Sequence, residues 1–247
     1  MHYFELGDVT AANYWSEAIL KVEPRAPWAK LVLALLHLDR HEEAEAIEIA
    51  REITQPDAMK RGTQGAALRI ANAPNLAAGH YEEIITEYLT DYPELRDAKV
   101  PIEFSTGLRF REALNVTLDL ASVYLQAGEE AKAESLLSAA ESEIPHWPQT
   151  AGWAWGYGFA NVDLHALRGE KEKALAALRE GAANGTRYMW RLQLLYNPNL
   201  DSIRDTPEIA AVVAEIEADM AAQLARVREM ERNGELEPIP EIPATTH

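Results

Sequence analysis

Leu120-Ala121-Ser122-Val123-Tyr124-Leu125-Gln126-Ala127-Gly128-Glu129-Glu130-Ala131-Lys132-Ala133-Glu134-Ser135-Leu136-Leu137-Ser138-Ala139-Ala140 is the stretch on which the reading of this chain turns. Leu118, Ala121 and Leu125 recur at helical spacing before Gly128, and Ala133, Leu136, Leu137 and Ala140 recur so after it. The glycine between two such runs predicts a turn, because it adopts the left-handed backbone without steric cost. Glu129 and Glu130 then open the second run, where negative charge suits a helix N-terminus. The unit is a helical hairpin. Ala121 and Ala133 let its two helices approach closely, Tyr124 and Leu137 fill the space towards the next hairpin, and Pro145 stops the second helix.

Four other segments carry the same punctuation. Leu6-Gly7-Asp8-Val9 leads to Ala12 and Pro24; Arg40-His41-Glu42-Glu43 leads to Ala44 and Pro56. Gly79-His80-Tyr81-Glu82-Glu83 leads to Ile84 and Pro93, and Gly169-Glu170-Lys171 leads to Ala174, Leu178 and Gly181. The inner residues Ala12, Ala44, Ile84, Ala133 and Ala174 lie 32, 40, 49 and 41 positions apart, which is a hairpin repeat with insertions. Alternation of Val, Ile and Thr of the kind strands need is missing. The periodicity predicts about eleven helices, an all-α chain, with Pro74 breaking the first helix of the third hairpin.

This pattern resembles the tetratricopeptide repeat, a helix–turn–helix unit of about 34 residues. Leu120, Ala121, Tyr124, Gly128, Ala133, Leu137, Ala140 and Pro145 fall at successive signature positions of that family. Trp28, Leu31, Leu35, Ala44 and Pro56 match in the second hairpin, where Glu48 and Arg51 depart from it. The resemblance covers roughly residues 1–185. It implies an α-solenoid whose hairpins stack because none buries its apolar face alone, with a concave groove along one side. Tyr196-Asn197-Pro198-Asn199-Leu200-Asp201 with Arg204-Asp205-Thr206-Pro207 further resembles the end of bacterial tetratricopeptide proteins whose repeats follow a winged-helix or nucleotide-cyclase domain. That likeness implies a sensory or assembly module of a larger bacterial protein.

The organisation expected is a repeat domain over 1–200, a capping helix over 201–232 of the same domain, and a Pro-containing tail over 233–247. Thr206 is the N-cap of the long helix and Pro207 its first residue; Ile209, Val213, Ile216, Met220, Leu224 and Val227 form its apolar stripe, and Asn233-Gly234 ends it. Tyr3, Gly7, Ala12 and Pro24 match the end of one helix and the whole of the next, so the first hairpin is expected to lack most of its first helix. On that expectation the chain is a fragment or a shortened relative, and Trp15, Ile19 and Leu20 are left uncovered. Pro93 to Gly107 has little periodicity and reads either as a passive connection or as a functional insertion.

Composition narrows the function. The chain has 247 residues, 23 Lys plus Arg against 40 Asp plus Glu, a net charge of −17, and no Cys. Such an acidic chain lacks the basic stripe a nucleic-acid partner requires. Disulfides and Cys-ligated metals are excluded. Trp28 to Leu38 contains Lys30 and is far shorter than the roughly 20 residues a spanning helix needs, so no membrane segment is expected. The start, Met1-His2-Tyr3-Phe4-Glu5, has neither basic nor apolar signal character, which favours the cytoplasm; an anchoring region upstream would place the chain in the periplasm.

No catalytic motif is present: no GxSxG, no GxxxxGK, no HExxH. Glu42-Glu43, Glu82-Glu83 and Glu129-Glu130 are read as first-turn helix charges. His37 and His41 have metal spacing only on one continuous helix, and the repeat puts a turn between them. No enzyme activity, no cofactor and no metal are therefore expected. Trp147, Trp153, Trp155, Tyr157 and Phe159 crowd thirteen residues, either as core between hairpins or as an aromatic floor. In the repeat register Asn115, Leu118, Ser122 and Gln126 of the fourth hairpin and Phe159 and Asp163 of the fifth face the groove. With Trp155 they are the candidate ligand-binding residues. The Lys and Asn clamp with which family members hold chaperone C-termini is absent. The expected function is protein or peptide binding, with a basic partner favoured by the charge. The alternative is a regulatory sensor with a small molecule in an aromatic pocket. A closed pocket below roughly 1,000 Å³ would favour the small molecule, and an open channel the peptide.

Overall fold

A computed structural model describes residues 2–55, 63–101, 107–146 and 159–236, with the backbone alone for 107–111 and 146. Trp147, Trp153, Trp155 and Tyr157, the middle of the 93–107 insertion and the Pro-containing tail beyond 236 lie outside the described residues. Within them the regular structure is all-helical, as the periodicity predicts. The α-helices are α1 (His2–Glu5), α2 (Val9–Val22), α3 (Pro27–Asp39), α4 (Glu43–Ile53), α5 (Gln64–Ala71) and α6 (Ala73–Ala78). They continue with α7 (Tyr81–Asp91), α8 (Gly107–Gln126), α9 (Glu130–Glu143), α10 (Ala160–Leu167), α11 (Lys171–Ala183) and α12 (Pro207–Arg232). None is long and apolar enough to cross a membrane.

Five turns share one geometry. The backbone N–H groups of Asp8, Glu42, His80, Glu129 and Glu170 donate to the carbonyls of Tyr3, His37, Asn75, Tyr124 and His165, at 2.8–2.9 Å. The residue before each donor is left-handed: Gly7 (φ 85°), His41 (60°), Gly79 (74°), Gly128 (77°) and Gly169 (72°). Each donor is itself the N-cap of the next helix. Thus the carbonyls left at the end of one helix are satisfied while the next begins two residues later. His41 holds this backbone with a side chain that disfavours it. Its turn and the last one also share a side-chain bridge: His37 Nδ1 meets Glu42 Oε2, and His165 Nδ1 meets Glu170 Oε2, each at 2.7 Å.

Helices α1 and α2, α3 and α4, α6 and α7, α8 and α9, and α10 and α11 pack as hairpins, and α4 on α5, α5 on α8, α8 on α10 and α11 on α12 carry one hairpin to another. The approach of α5 to α8 needs Gly65, where a Cβ would stand 2.5 Å from Val116 Cγ1. On α2, Trp15 is 39% and Ile19 46% exposed, while Leu20 is half-buried.

The segment 188–204 closes the array on itself. Tyr188, Met189 and Leu192 join the apolar cluster of α1–α5; Trp190, Leu194, Leu200 and Ile203 join that of α10–α12. A left-handed Met189 (φ 54°) and a π-helical turn over Arg191–Leu195 let neighbouring side chains serve different cores. Arg191 lies over Phe4 with its Cζ 5.4 Å from the ring centre, and it pairs with Asp39 at 3.1 Å. Glu5 is buried beneath this seam, its carboxyl facing the backbone N–H groups of Met189 and Trp190. Burial pushes its pKa up to about 8 against the opposing charges of Arg191 and the N-terminus. Helix α12 is capped by Thr206 Oγ1, which accepts from Ile209 N at 3.4 Å, and it buries Ile209, Val212, Ile216 and Met220. These pack in one cluster with Leu194, Leu200 and Ile203, with Leu195 at its edge; Leu192 belongs instead to the cluster of α1–α5. Its far end returns to the beginning of the chain, where Arg228 pairs with Asp8.

Candidate functional site

Pro74 and Asn72 divide α5 from α6, and residues on both sides of the break border a cavity of about 670 Å³. Its apolar walls come from Leu38 and Ile47, from Ile70, Pro74 and Leu76, from Ile84 and Val123, and from Leu195 and Pro198. Polar groups converge at its floor. Arg69 forks onto Asp119, Nη2 to Oδ1 at 2.6 Å and Nε to Oδ2 at 3.2 Å. Tyr88 Oη donates to Asp119 Oδ2 at 3.4 Å and Asn199 Nδ2 to Oδ1 at 2.9 Å. Both members of the ion pair are over nine-tenths buried, so each depends on the other to offset the loss of water.

Behind Asn199 stands Asp163. Asn197 Nδ2 donates to its Oδ2 at 2.8 Å, while Oδ1 has no hydrogen bond among the described residues. Burial raises its pKa to about 6, opposed by Arg69 and the two asparagines. The Asn197-Pro198-Asn199 loop is held from outside by Arg204, whose Nη1 donates to the Leu194 and Leu195 carbonyls at 3.1 and 2.8 Å and whose Nη2 donates to the Asn197 carbonyl at 2.5 Å. Tyr196 Oη donates to Asp39.

Asp119 accepts four hydrogen bonds and is ion-paired, so it has no spare lone pair suited to take a proton. Arg69 does not release one. Asp163, whose raised pKa would suit proton transfer, is not among the residues that border the cavity.

Of the residues expected from the sequence, Ser122 and Gln126 border the cavity. Asn115 borders a separate crevice of about 30 Å³ on the other side of the Arg69–Asp119 pair. Leu118 and Phe159 lie in apolar cores, 0% and 1% exposed. The register that points them into a groove overlooks what covers that side: Leu118 joins the apolar cluster shared by α5 and α7–α10, and the 188–204 segment reaches Phe159, whose backbone N–H donates to Gln193 Oε1 at 3.2 Å. Asp163 is buried behind the floor. Trp155 lies outside the described residues. The sequence reading misses Arg69, Tyr88, Asp119, Tyr196 and Asn199. A signal for two of them exists: Arg69 sits between Leu68 and Ile70, and Asp119 between Leu118 and Leu120. A charge inside an apolar helical run needs a buried partner of opposite sign.

Comparison with family models, with curated proteins and with solved structures finds no match for this chain.

Proposed function

We propose that the chain is a binding module built as a solenoid of tetratricopeptide-like hairpins, and that the cavity bordered by its second, third and fourth hairpins and the 188–204 segment seats a small molecule. The observation that carries this reading is the cavity itself. Its volume of about 670 Å³ falls within the roughly 300–1,000 Å³ of small-ligand sites, and apolar walls around a few fixed polar groups are their usual lining. Tyr88 and Tyr196 supply the aromatic surface. The five equivalent turns support the tetratricopeptide-like reading. The likeness of residues 196–207 to the ends of bacterial sensor proteins supports a regulatory role within a larger protein, with no reaction catalysed by this chain. A decisive test uses Ala77→Trp. Ala77 borders the cavity yet is exposed, so an indole there obstructs the space without disturbing a core. Ligand-observed NMR with a mixture of small aromatic and aliphatic compounds should give binders for the wild type that this variant loses. Binders retained equally by both would refute the site.

A second reading, protein or peptide binding, is favoured by one observation. Trp15, Ile19 and Val22 follow the i, i+4, i+7 spacing of one helix face on α2 and are 39%, 46% and 88% exposed. A protein partner recovered with the wild type but lost with both Trp15→Ser and Ile19→Ser would support it.

A further inference from the structure

Resting on the small-molecule reading above, we infer that the cavity selects ligands carrying a positive charge on an apolar body, of the alkyl- or arylalkylammonium class. The argument is a balance of charges. Among the described residues two cations border the cavity, and each is already engaged. Arg69 is consumed by Asp119. Arg204 is consumed by Asp201 at 2.8 Å and by the carbonyls of the Asn197 loop. Arg191, one layer further out, is taken by Asp39.

Three carboxyl groups around the same space have no salt-bridging cation among the described residues. Glu43 is at the lip. Glu87 accepts from Asn72 Nδ2 at 2.7 Å, and Asn72 borders the cavity. Asp163 stands behind Asn199. Low-dielectric walls concentrate the field of such groups into the space they enclose, and a net charge of −17 adds to it. An anionic ligand meets this field with no free cation among the described residues to receive it. A neutral ligand gains nothing from it. An ammonium group entering past Glu43 is attracted, while its hydrocarbon body meets Ile47, Ile70, Leu76, Ile84 and Val123.

Three probes with one body and different heads test this: 4-phenylbutylamine, 4-phenylbutanol and 4-phenylbutyrate, titrated into the full chain by NMR at low salt and again at high salt. The amine is expected to bind best, about tenfold more tightly than the acid, with the alcohol between; added salt narrows the gap. Glu43→Lys, a change at an exposed position, should shift the preference towards the acid. Equal binding of all three, each lost in Ala77→Trp, would keep the cavity as a ligand site and overturn the charge selection. A preference for the acid would overturn it too. An amine preference unchanged in both Glu43→Lys and Ala77→Trp would place binding elsewhere and overturn the inference. No binding by any probe would overturn both the selection and the site.

Discussion

The indole Nε1 of Trp190 donates to the backbone carbonyl of Glu5 at 3.2 Å, joining residues 185 positions apart. The Glu5 carboxyl is buried beside that bond, where loss of water outweighs the nearby Arg191 charge and the Met189 and Trp190 backbone N–H groups. Its pKa is about 8 in the folded chain against an ordinary 4.5. Between those values the folded state holds a proton that the unfolded state has released, so this contribution to stability falls as pH rises and is fully lost above about 8. Asp163 acts in the same sense from 3.8 up to about 6, so the decline between pH 6.5 and 8 comes chiefly from Glu5, opposed near pH 6.5 by His2, whose pKa burial lowers. Glu5→Gln should remove most of the decline across that window and stabilise the protein at pH 8 by on the order of a few kcal/mol. Urea unfolding at both pH values checks this; parallel curves for the two proteins would contradict it.

Asp119→Ala should be among the most damaging single changes. It leaves the Arg69 guanidinium buried with its main counter-charge gone, at a cost of about 3–5 kcal/mol. The double change Arg69→Met with Asp119→Leu should recover much of that loss, because it removes both charges together. Denaturant midpoints of the single and double variants measure the difference.

At Gly65 the expected cost is steric. The added methyl of Gly65→Ala meets Val116 Cγ1 at 2.5 Å, and a buried β-branched side chain has little freedom to turn aside. Helices α5 and α8 must separate slightly, for about 1–3 kcal/mol. A thermal midpoint equal to the wild type would show that Val116 can move.

His41→Gly should stabilise the protein. Gly7, Gly79, Gly128 and Gly169 occupy the equivalent left-handed position in the other four turns, while His41 holds φ 60°. Removing the Cβ relieves about 1 kcal/mol of backbone strain, reduced by the greater freedom glycine has when unfolded. The His37–Glu42 bridge is untouched by the change. A lower thermal midpoint would mean that the imidazole makes a contact worth more than the strain.

Phe159→Ala is expected to lower stability by about 3–5 kcal/mol, because the ring is 1% exposed within the core of α10–α12. Ligand affinity measured where this variant is still fully folded should be close to the wild-type value. A selective loss of affinity there would return Phe159 to the binding surface.

What the sequence displays depends on how far apart the cooperating residues lie. The turns are legible because a left-handed residue followed by an N-cap is a property of six consecutive residues, as at Tyr124–Glu129. The boundaries of α12 are legible for the same reason, in Thr206-Pro207 at one end and Asn233-Gly234 at the other. The helix break at Pro74 is equally local. The cavity floor is not: Arg69 meets Asp119 across 50 positions, and Asn199 meets Asp119 across 80. Nothing near Asn197 or Asn199 announces that the loop will turn back into the array. Repeat register alone directs Leu118 and Phe159 towards open space; Leu118 becomes core among α5 and α7–α10, and Phe159 becomes core against the segment that carries the loop.

A hairpin array with two free ends can fray from either one, so its stability divides into neighbouring parts that open separately. Here residues 188–203 belong to the apolar clusters of both α1–α5 and α10–α12, and Arg228 at the far end of α12 holds Asp8. Loosening one end therefore pulls on the other. Such long-range closure slows folding, since distant segments must meet before either is rewarded. In return, hydrogen exchange in α2 and in α12 should report one shared opening event, with the molecule coming apart as a unit.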